Sequence, residues 1–402
     1  GLRVYGNTTI ECTAGGGLYL KNNSVGAIIR NANRSRTNVV DEHIVIRGCV
    51  LNGNRDGQLP AGPATSPYRK YQEADGTFRS GLQFLGVNHL TIEGVTLRNV
   101  RSYHAWIANA RYINISNLLI DTQIPSFPSN ASLAEQKVYT ARNGTMDDGL
   151  HFNGPIQYLT INGVKLRTWD DGIALNANDA GVDDLTLQNT MGPYVGQGPI
   201  KDVVISNVTF MDSHHGFRIL SSNQLIDRIL IQNVIGTIRE RFVVISHFVN
   251  PSPGRFGSIS FNNISVQTEP HPAWRDLHPE YYTSESSKPW MPSILEEGEL
   301  PLFSLNGPMD HLQLNNVTTI ASDRRPVIRV GPDASIDTLK VDLSIIDPKG
   351  LAVPVGLIGR IKRFRLALDW NGSAPIRYEG GTIDQLNFRQ EDHNEAEADK
   401  IM

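Results

Sequence analysis

The sequence predicts an all-β protein, a single-stranded right-handed parallel β-helix (solenoid) with about 22–23 residues per coil. Two observations favour this fold: a degenerate repeat recurs along most of the chain, and its residues alternate with period two rather than with helical spacing. The repeat is apolar-x-apolar-x-Asn/Gly-apolar-x-apolar, and its copies read LTIEGVTL, INISNLLI, LTINGVKL, VVISNVTF, ILIQNVIG, ISFNNISV and LQLNNVTT. A leucine-rich repeat of similar length needs a different pattern, which these copies lack.

One Asn or Gly lies between the two strands of each copy, where a tight turn tolerates left-handed backbone. These residues are Gly94, Asn117, Gly163, Asn207, Asn233, Asn263 and Asn316. The first interval is 23 residues, and the next two, of 46 and 44 residues, are interpreted as two coils each, with a weaker copy at Asn189. We expect stacked coils from about Asp41 to Ile345, with these turns superposed and their Asn amides bonded to one another from coil to coil.

The repeat leaves little of the chain for a second domain. We expect one β-helix domain over residues 1–390 and a charged tail at 391–402. Three segments rich in Pro, Gly, Ser or aromatic residues, at 54–78, 123–143 and 269–300, are interpreted as long loops beside a groove. Their aromatic residues could stack on sugar or simply pack in the loops: Tyr68, Tyr71, Phe127, Trp274, Tyr281, Tyr282 and Trp290.

Composition excludes several classes of protein. The formal net charge of -4 gives no basic excess, so nucleic acid is not an expected partner. No apolar run approaches the ~18 residues needed to span a membrane, so no membrane partner is expected. With only Cys12 and Cys49, a disulfide scaffold, a four-cysteine zinc site and an iron–sulfur cluster are excluded. Composition leaves open whether the two cysteines pair, and also whether the protein is a monomer or a homo-oligomer.

A third strand is predicted some eight residues beyond each turn. It reads SGLQF, HAWIA, DDGLHF, DDGIAL, HHGFRI and RFVVI in successive copies. Asp148 and Asp171 are 23 residues apart and His215 follows after 44, so the three are expected on one column, with one coil skipped before His215. Neighbouring parallel strands lie ~4.8 Å apart, so Asp148, Asp170 and Asp171 should be close together.

Crowded carboxylates point to acid–base chemistry. Like charges at short distance cannot all ionise freely, so at least one pKa should rise and leave a general acid beside a carboxylate base. Asp-Asp-Gly can also be a simple turn, because Asp favours turns and Gly supplies a positive φ. Two copies in register, followed by His-His-Gly on the same column, favour the catalytic interpretation.

MDDGLHF followed by WDDGIAL resembles the paired signature of glycoside hydrolase family 28, the polygalacturonase family, and HHGFRIL resembles the segment that ends in its Arg-Ile-Lys. The resemblance implies an inverting hydrolase on a right-handed parallel β-helix, without metal or organic cofactor. It implies that Asp170 is the general acid and that Asp148 and Asp171 orient and deprotonate the attacking water. Arg218 would bind sugar at the cleavage site.

The chain also departs from the family pattern. TMGPYVGQG stands where the family has Gly-His-Gly, with Met191 in the histidine's place, and Leu220 and Met146 replace a lysine and an asparagine. His104, His151, His214 and His215 are the remaining candidates for contacting the substrate. From these losses we expect polygalacturonate to be a poor substrate, and a neutral sugar or a pectic backbone alternating with neutral sugars to be the true one.

Two other functions fit the same fold. In a polysaccharide lyase, the acidic residues would hold Ca²⁺ and Arg218 or His215 would abstract a proton. The hydrolase is preferred because Asp-Asp-Gly recurs in the hydrolase register, and because no Lys or further Arg is expected beside Arg218 on the column. A tailspike-like or adhesin-like β-helix would grip glycan without cutting it. In each case the partner is a polysaccharide or oligosaccharide, and the expected location is secreted, periplasmic or cell-surface.

Overall fold

A computed structural model of the chain describes residues 1–13, 15–24, 26–58, 79–122, 132, 147–177, 194, 196–247, 254–268, 301–321 and 326–391. Within these ranges every strand pairing is parallel, and the single helical element is a 3-10 turn at Arg55–Gly57. The strands are β1 Leu2–Val4, β2 Thr8–Glu11, β3 Gly17–Tyr19, β4 Ile29–Asn31, β5 Asp41–Arg47, β6 Val50–Asn52, β7 Ser80–Glu93, β8 Thr96–Arg98, β9 Tyr103–Asp121, β10 Leu150–Arg167, β11 Asp171–Asn176, β12 Ile200–Leu220, β13 Leu225–Ser246, β14 Arg255–Thr268, β15 Phe303–Leu305, β16 Pro308–Ile320, β17 Pro326–Val330, β18 Ser335–Ile346, β19 Val353–Leu357, β20 Arg360–Asp369, β21 Ile376–Tyr378 and β22 Thr382–Glu391.

The strands stack into long parallel ladders, which confirms the all-β parallel β-helix. One ladder runs from β1 through β4, β7, β9, β10, β11, β12, β13, β15, β17 and β19 to β21. A second runs from β2 to β22 and contains the repeat copies. The stacking continues through β22, well beyond the predicted end of the coils near Ile345.

Coil length varies more than the sequence predicted. Strand β10 pairs directly with β9 on one side and with β12 on the other. The intervals of 46 and 44 residues are therefore one coil each, and their interpretation as two coils is wrong. A coil can be lengthened by residues inserted between strands without disturbing the ladders. The spacing of the repeat in the sequence therefore overestimates the number of coils. The copy expected at Asn189 lies outside the described residues.

The turn residues form the predicted ladder of asparagines. All seven predicted turn residues have a positive φ, between 51° and 69°. The Nδ2 of Asn207 donates to Oδ1 of Asn162 at 2.7 Å, and Asn233, Asn263 and Asn316 each donate to the preceding asparagine of the column at 3.0–3.2 Å. The turns therefore superpose along one axis, and the four asparagines from Asn207 to Asn316 are joined by amide–amide bonds.

The core lies between the ladders and consists of inward-facing apolar side chains. Most are aliphatic residues of the repeat, such as Ile161, Ile205 and Ile231, which are fully buried. Aromatic rings pack edge to face beneath the middle coils: Phe217 and Phe303 each lie 5.5 Å from Phe242 between ring centroids. This interior fixes the strands that carry the polar cluster described below.

Cys12 and Cys49 form a disulfide bond, which settles the pairing that the composition left open. Disulfides persist mainly in oxidising environments, so the bond suggests an extracytoplasmic location. Among the described residues no helix is long and apolar enough to cross a membrane. The predicted loops at 54–78, 123–143 and 269–300, their aromatic residues and the tail beyond Glu391 lie almost wholly outside the described residues.

Candidate active site

The column of site residues runs across four consecutive coils. Leu150 pairs with Ile173, which places Asp148 beside Asp171. Asp171 in turn pairs with His215. No coil is skipped between the last two: the 44-residue interval is a single lengthened coil, so the predicted gap is wrong. The next coil brings Arg241 beside His215.

A second column lies one residue earlier along each strand. It contains Asp147, Asp170, His214 and Glu240, from the loop before β10 to β13. Asp147 is fully buried and forms an ion pair with Arg55 while accepting a hydrogen bond from the backbone of the preceding coil. Burial raises its pKa to about 6, although Arg55 opposes the shift. Asp170 and His214 lie beside the column of site residues, whereas Asp147 is bonded to Arg55 and to the backbone N–H of Ser102.

A glycine follows each of the first three column residues, at Gly149, Gly172 and Gly216. A Cβ at Gly172 would lie 2.4 Å from Cε1 of Phe210, and one at Gly216 would lie 2.6 Å from the carbonyl oxygen of Phe242. None of the three has a positive φ. The glycines are therefore needed for close approach between coils, and the interpretation of Asp-Asp-Gly as a turn with left-handed glycine is wrong.

The three aspartates lie in one cluster, as predicted. One oxygen from each of Asp148, Asp170 and Asp171 lies within 4.8 Å of the others. Asp170 is 9% exposed, whereas Asp148 and Asp171 are each 3% exposed. Inverting glycosidases usually separate their carboxyl groups by roughly 6.5–9.5 Å and retaining ones by about 5–5.5 Å. This cluster is tighter than the usual inverting arrangement.

Asp148 and Asp171 have opposite protonation preferences. Burial and the negative charge of Asp171 raise the pKa of Asp148 to about 8. Burial also acts to raise the pKa of Asp171, but Arg218 and His215 outweigh it and lower that pKa to about 2. The surroundings therefore favour the protonated form of Asp148 and the ionised form of Asp171.

His151 contacts the protonated member of this pair. Its Nδ1 lies 2.6 Å from Oδ2 of Asp148, and its ring stacks on Tyr103 with centroids 4.0 Å apart. On the other side, Nδ2 of Asn176 lies 3.5 Å from Nε2 of His151. Asn176 and Tyr103 were not identified from the sequence. Both follow from register, because Tyr103 precedes Asp148 on its column by one coil.

His214 and His215 connect the other two aspartates to a buried glutamate. Nδ1 of His215 lies 2.7 Å from Oδ1 of Asp171, and Nδ1 of His214 lies 3.5 Å from Oδ1 of Asp170. Nε2 of His214 is hydrogen-bonded to Oε2 of Glu240. Burial tends to lower the pKa of His215, but its hydrogen bond to Asp171 and the negative charge of nearby Glu240 outweigh this and raise it. Glu240 was missed in the sequence, although it occupies the position just before RFVVI.

Two arginines lie in the cluster. Nη1 of Arg218 lies 3.5 Å from Oδ2 of Asp171, in agreement with its predicted place. Nη2 of Arg241 lies 3.3 Å from Oε1 of Glu240. Arg241 occupies the next coil of the column that contains Asp171 and His215, so a further Arg does stand on that column, whereas the residue paired with Arg218 in the same coil is Val244.

The structure does not bring His104 into this cluster. Its side chain is fully buried, with Nδ1 2.9 Å from the carbonyl oxygen of Asp148 and Nε2 2.5 Å from Oγ1 of Thr122. Burial lowers its pKa to about 3, so the ring is neutral. Both ring nitrogens are occupied within the protein, so His104 supports the backbone of Asp148 and leaves no nitrogen for a sugar.

Oxygen and nitrogen atoms are close enough to chelate a cation at two places. One group is Asp148, Asp170 and Asp171, and the other is Asp170, His214 and His215. However, a carboxylate oxygen of each aspartate already lies within 3.5 Å of the Nδ1 atom of a histidine. The donor set therefore forms carboxylate–histidine pairs, which suits proton transfer better than an oxygen-rich Ca²⁺ site.

The coil next to Asp171 bears on the predicted substrate. The coil beside Asp171 carries His215 and Gly216, so a His-Gly pair does stand next to the aspartates. Residues 190–193 of TMGPYVGQG lie outside the described residues, so the place of Met191 in the family pattern stays a prediction. Met191 and Met146 lie outside the described residues, and Leu220 is only 2% exposed.

A solved structure matches this fold over nearly its whole length. The family 28 exopolygalacturonase of Yersinia enterocolitica aligns with a TM-score of 0.52 and 13% identity, over 97% of this chain and 71% of that one. The chain has a family 28 exopolygalacturonase-like β-helix fold. The Thermotoga maritima exopolygalacturonase aligns with a TM-score of 0.47 and 10% identity, over 96% of this chain and 80% of that one.

Sequence similarity to curated proteins is more limited. An exopolygalacturonase of Arabidopsis thaliana, clone GBGA483, is 23% identical over 209 residues, which are 46% of this chain and 42% of the relative. The match therefore spans less than half of either protein. No family model matches the chain. The family 28-like fold is thus shown by structure, and the chemistry is argued from the site.

Proposed function

We propose that the protein is a glycoside hydrolase that cleaves a polysaccharide or oligosaccharide by acid–base catalysis with Asp148, Asp170 and Asp171. The observation that supports this most directly is the cluster itself, in which one oxygen from each of the three aspartates lies within 4.8 Å of the others. The raised pKa of Asp148 and the lowered pKa of Asp171 give the cluster one carboxyl group that favours a proton and one that favours a negative charge, whereas the acid role of Asp170 is proposed from its greater exposure and from the resemblance to family 28.

Each aspartate has a distinct proposed role. Asp170 is the most exposed of the three and donates a proton to the glycosidic oxygen. Asp171 is ionised through Arg218 and His215, so it accepts the proton of the attacking water. Asp148, which keeps a proton at neutral pH, orients that water. Water then adds to the anomeric carbon as the leaving sugar departs, and we propose inversion at that carbon.

We propose a galacturonate-containing, pectin-related glycan as the first substrate to examine. Arg218, Arg241 and the raised pKa of His215 provide cationic donors beside the aspartates, and charge-assisted bonds suit a sugar carboxylate. The Yersinia enterocolitica protein with a matching fold and the Arabidopsis thaliana protein with a partial sequence match are both exopolygalacturonases. The earlier expectation of poor polygalacturonate cleavage stays a prediction, but the histidine whose loss motivated it has a counterpart in His215.

The test is incubation with polygalacturonate, rhamnogalacturonan and neutral galactans or glucans, with and without EDTA. We expect new reducing ends, no new absorbance at 235 nm, and activity that survives EDTA. Absorbance at 235 nm would indicate a lyase, and binding without products would indicate a glycan-binding β-helix. The anomer released first, followed by proton NMR, decides between inversion and retention.

A further inference from the structure

We propose that Glu240 is a positioning residue for the aspartate cluster, acting through His214 and His215 on Asp170 and Asp171. This inference rests on the proposed hydrolase function and deepens it. Glu240 contacts neither Asp170 nor Asp171 in any of the bonds described, so its effect on the reacting groups is carried by the two histidines.

The geometry forms two parallel carboxylate–histidine–carboxylate connections that share Glu240. One runs from Asp170 to Nδ1 of His214 at 3.5 Å and from Nε2 of His214 to Oε2 of Glu240. The other runs from Asp171 to Nδ1 of His215 at 2.7 Å, with Nε2 of His215 3.7 Å from Oε1 of Glu240. Each imidazole is thus held between two carboxylates.

The two histidine rings stack with their centroids 4.0 Å apart, and His214 and His215 are 1% and 5% exposed. Two buried rings at that distance repel each other as they gain protons. Glu240 lies at the Nε2 end of both rings and is itself 2% exposed, so its charge offsets that repulsion where water cannot.

The charged groups around Glu240 are on two strands of the described residues. His214 and His215 face it from β12, and Arg239 and Arg241 flank it on β13. Burial acts to raise the pKa of Glu240, but His214 and Arg241 outweigh it and hold that pKa well below its usual range. Asp170 and Asp171 lie beyond the histidines, so Glu240 is the negative end opposite the catalytic carboxylates.

The consequence is a specific effect on Asp171. If Glu240 loses its charge, His215 keeps only Asp171 as a carboxylate partner and becomes less easily protonated. Asp171 then loses part of the positive charge that keeps it ionised. Its pKa should rise, so the acidic limb of the activity profile should move to higher pH. A purely structural glutamate would change thermal stability without moving that limb.

The variant to test is Glu240→Gln, which keeps the shape and removes the charge. We expect kcat to fall about tenfold or more while KM changes less, and the acidic limb to shift upward. Glu240→Asp keeps the charge and should restore part of the lost kcat and the wild-type pH limb. Glu93→Gln, which removes an exposed partner of Arg47, is the matched control and should behave as wild type.

Histidine titration by NMR separates this proposal from the proposed function, because it needs no substrate. With ¹⁵N-labelled protein, His215 should lose its proton at lower pH in Glu240→Gln than in wild type or Glu93→Gln. Glu240→Ala, which also removes the charge, serves in the same comparison if Glu240→Gln does not fold, and Glu240→Asp, which keeps the charge, should titrate as wild type. An unchanged His215 titration together with an unchanged pH limb overturns the positioning role. A shifted titration in a protein with no hydrolase activity upholds the linkage and rejects the proposed function.

Discussion

Two stacks of polar side chains on this solenoid are stabilised differently. One is the asparagine ladder, and the other is the proposed catalytic column of Asp148, Asp171, His215 and Arg241. In the ladder, most positions carry the same neutral amide, and from Asn207 to Asn316 each one bonds the next at 3.0–3.2 Å. In the column, an aspartate, a second aspartate, a histidine and an arginine follow one another, and each is paired with an unlike group. In this protein, a column that repeats one neutral residue type has a structural role. A column in which different titratable residues follow one another at the same spacing is the proposed site of chemistry.

The largest expected effect is the loss of turnover when the ionised aspartate of the column, Asp171, is replaced. Asp171→Asn removes the proposed base and should reduce turnover by about 10²–10⁴-fold, because general acid–base catalysis contributes that much. The initial rate of reducing-end formation measures it. Asp202→Asn is the control: it also removes an aspartate paired with an arginine, but at a half-buried position of strand β12 outside the aspartate cluster. Near-wild-type turnover in Asp171→Asn would contradict the assignment of the base.

Gly172→Ala tests the close approach between coils at the site. Its Cβ would lie 2.4 Å from the ring of Phe210 and 3.0 Å from the carbonyl oxygen of Gly216. We expect destabilisation of about 1–3 kcal/mol from overpacking, together with lost activity. In Gly350→Ala, where nothing lies within 4 Å of the added Cβ, only the left-handed backbone at φ 65° costs free energy, about 1 kcal/mol. Denaturant unfolding compares the two, and equal losses would contradict the packing argument.

In Asp148→Asn, thermal stability and turnover should change in opposite directions as the pH rises. The pKa of Asp148 is raised to about 8 by burial, so the folded state favours the protonated form and loses stability as the pH rises from about 4 towards 8. An uncharged asparagine avoids that loss. The Tm of Asp148→Asn should therefore gain on wild type between pH 5 and pH 8, while turnover falls. A Tm difference that is constant across this range would show that Asp148 is ionised throughout.

The smallest expected effect is on the ladder. Asn233→Ala removes two amide bonds and a residue suited to its φ of 56°, so a loss of about 1–2 kcal/mol is expected, without a change in turnover per folded molecule. Asn233→Gly restores the backbone freedom but not the bonds, and should be the more stable of the two variants. A large loss of kcat in either one would mean that the ladder and the catalytic column are coupled.

The contrast also explains which features the sequence revealed. The turns were predictable because Asn207, Asn233 and Asn263 repeat one residue type for one physical reason. The number of coils was not, because inserted residues double the spacing without changing the register. Glu240 was missed because it lies 26 residues after His214, off the 22–23 period, and its partners become visible only when the strands are aligned. The interior place of His104 and the Cys12–Cys49 bond likewise depend on contacts between coils.

The most direct test of the catalytic cluster is the turnover of Asp170→Asn on the best substrate found for the wild type. Asp170 is the proposed proton donor, so the account predicts a loss of about 10²–10⁴-fold in kcat with an unchanged circular dichroism spectrum and a Tm close to that of wild type. Wild-type turnover in a normally folded Asp170→Asn variant would contradict the claim that this aspartate cluster performs the chemistry.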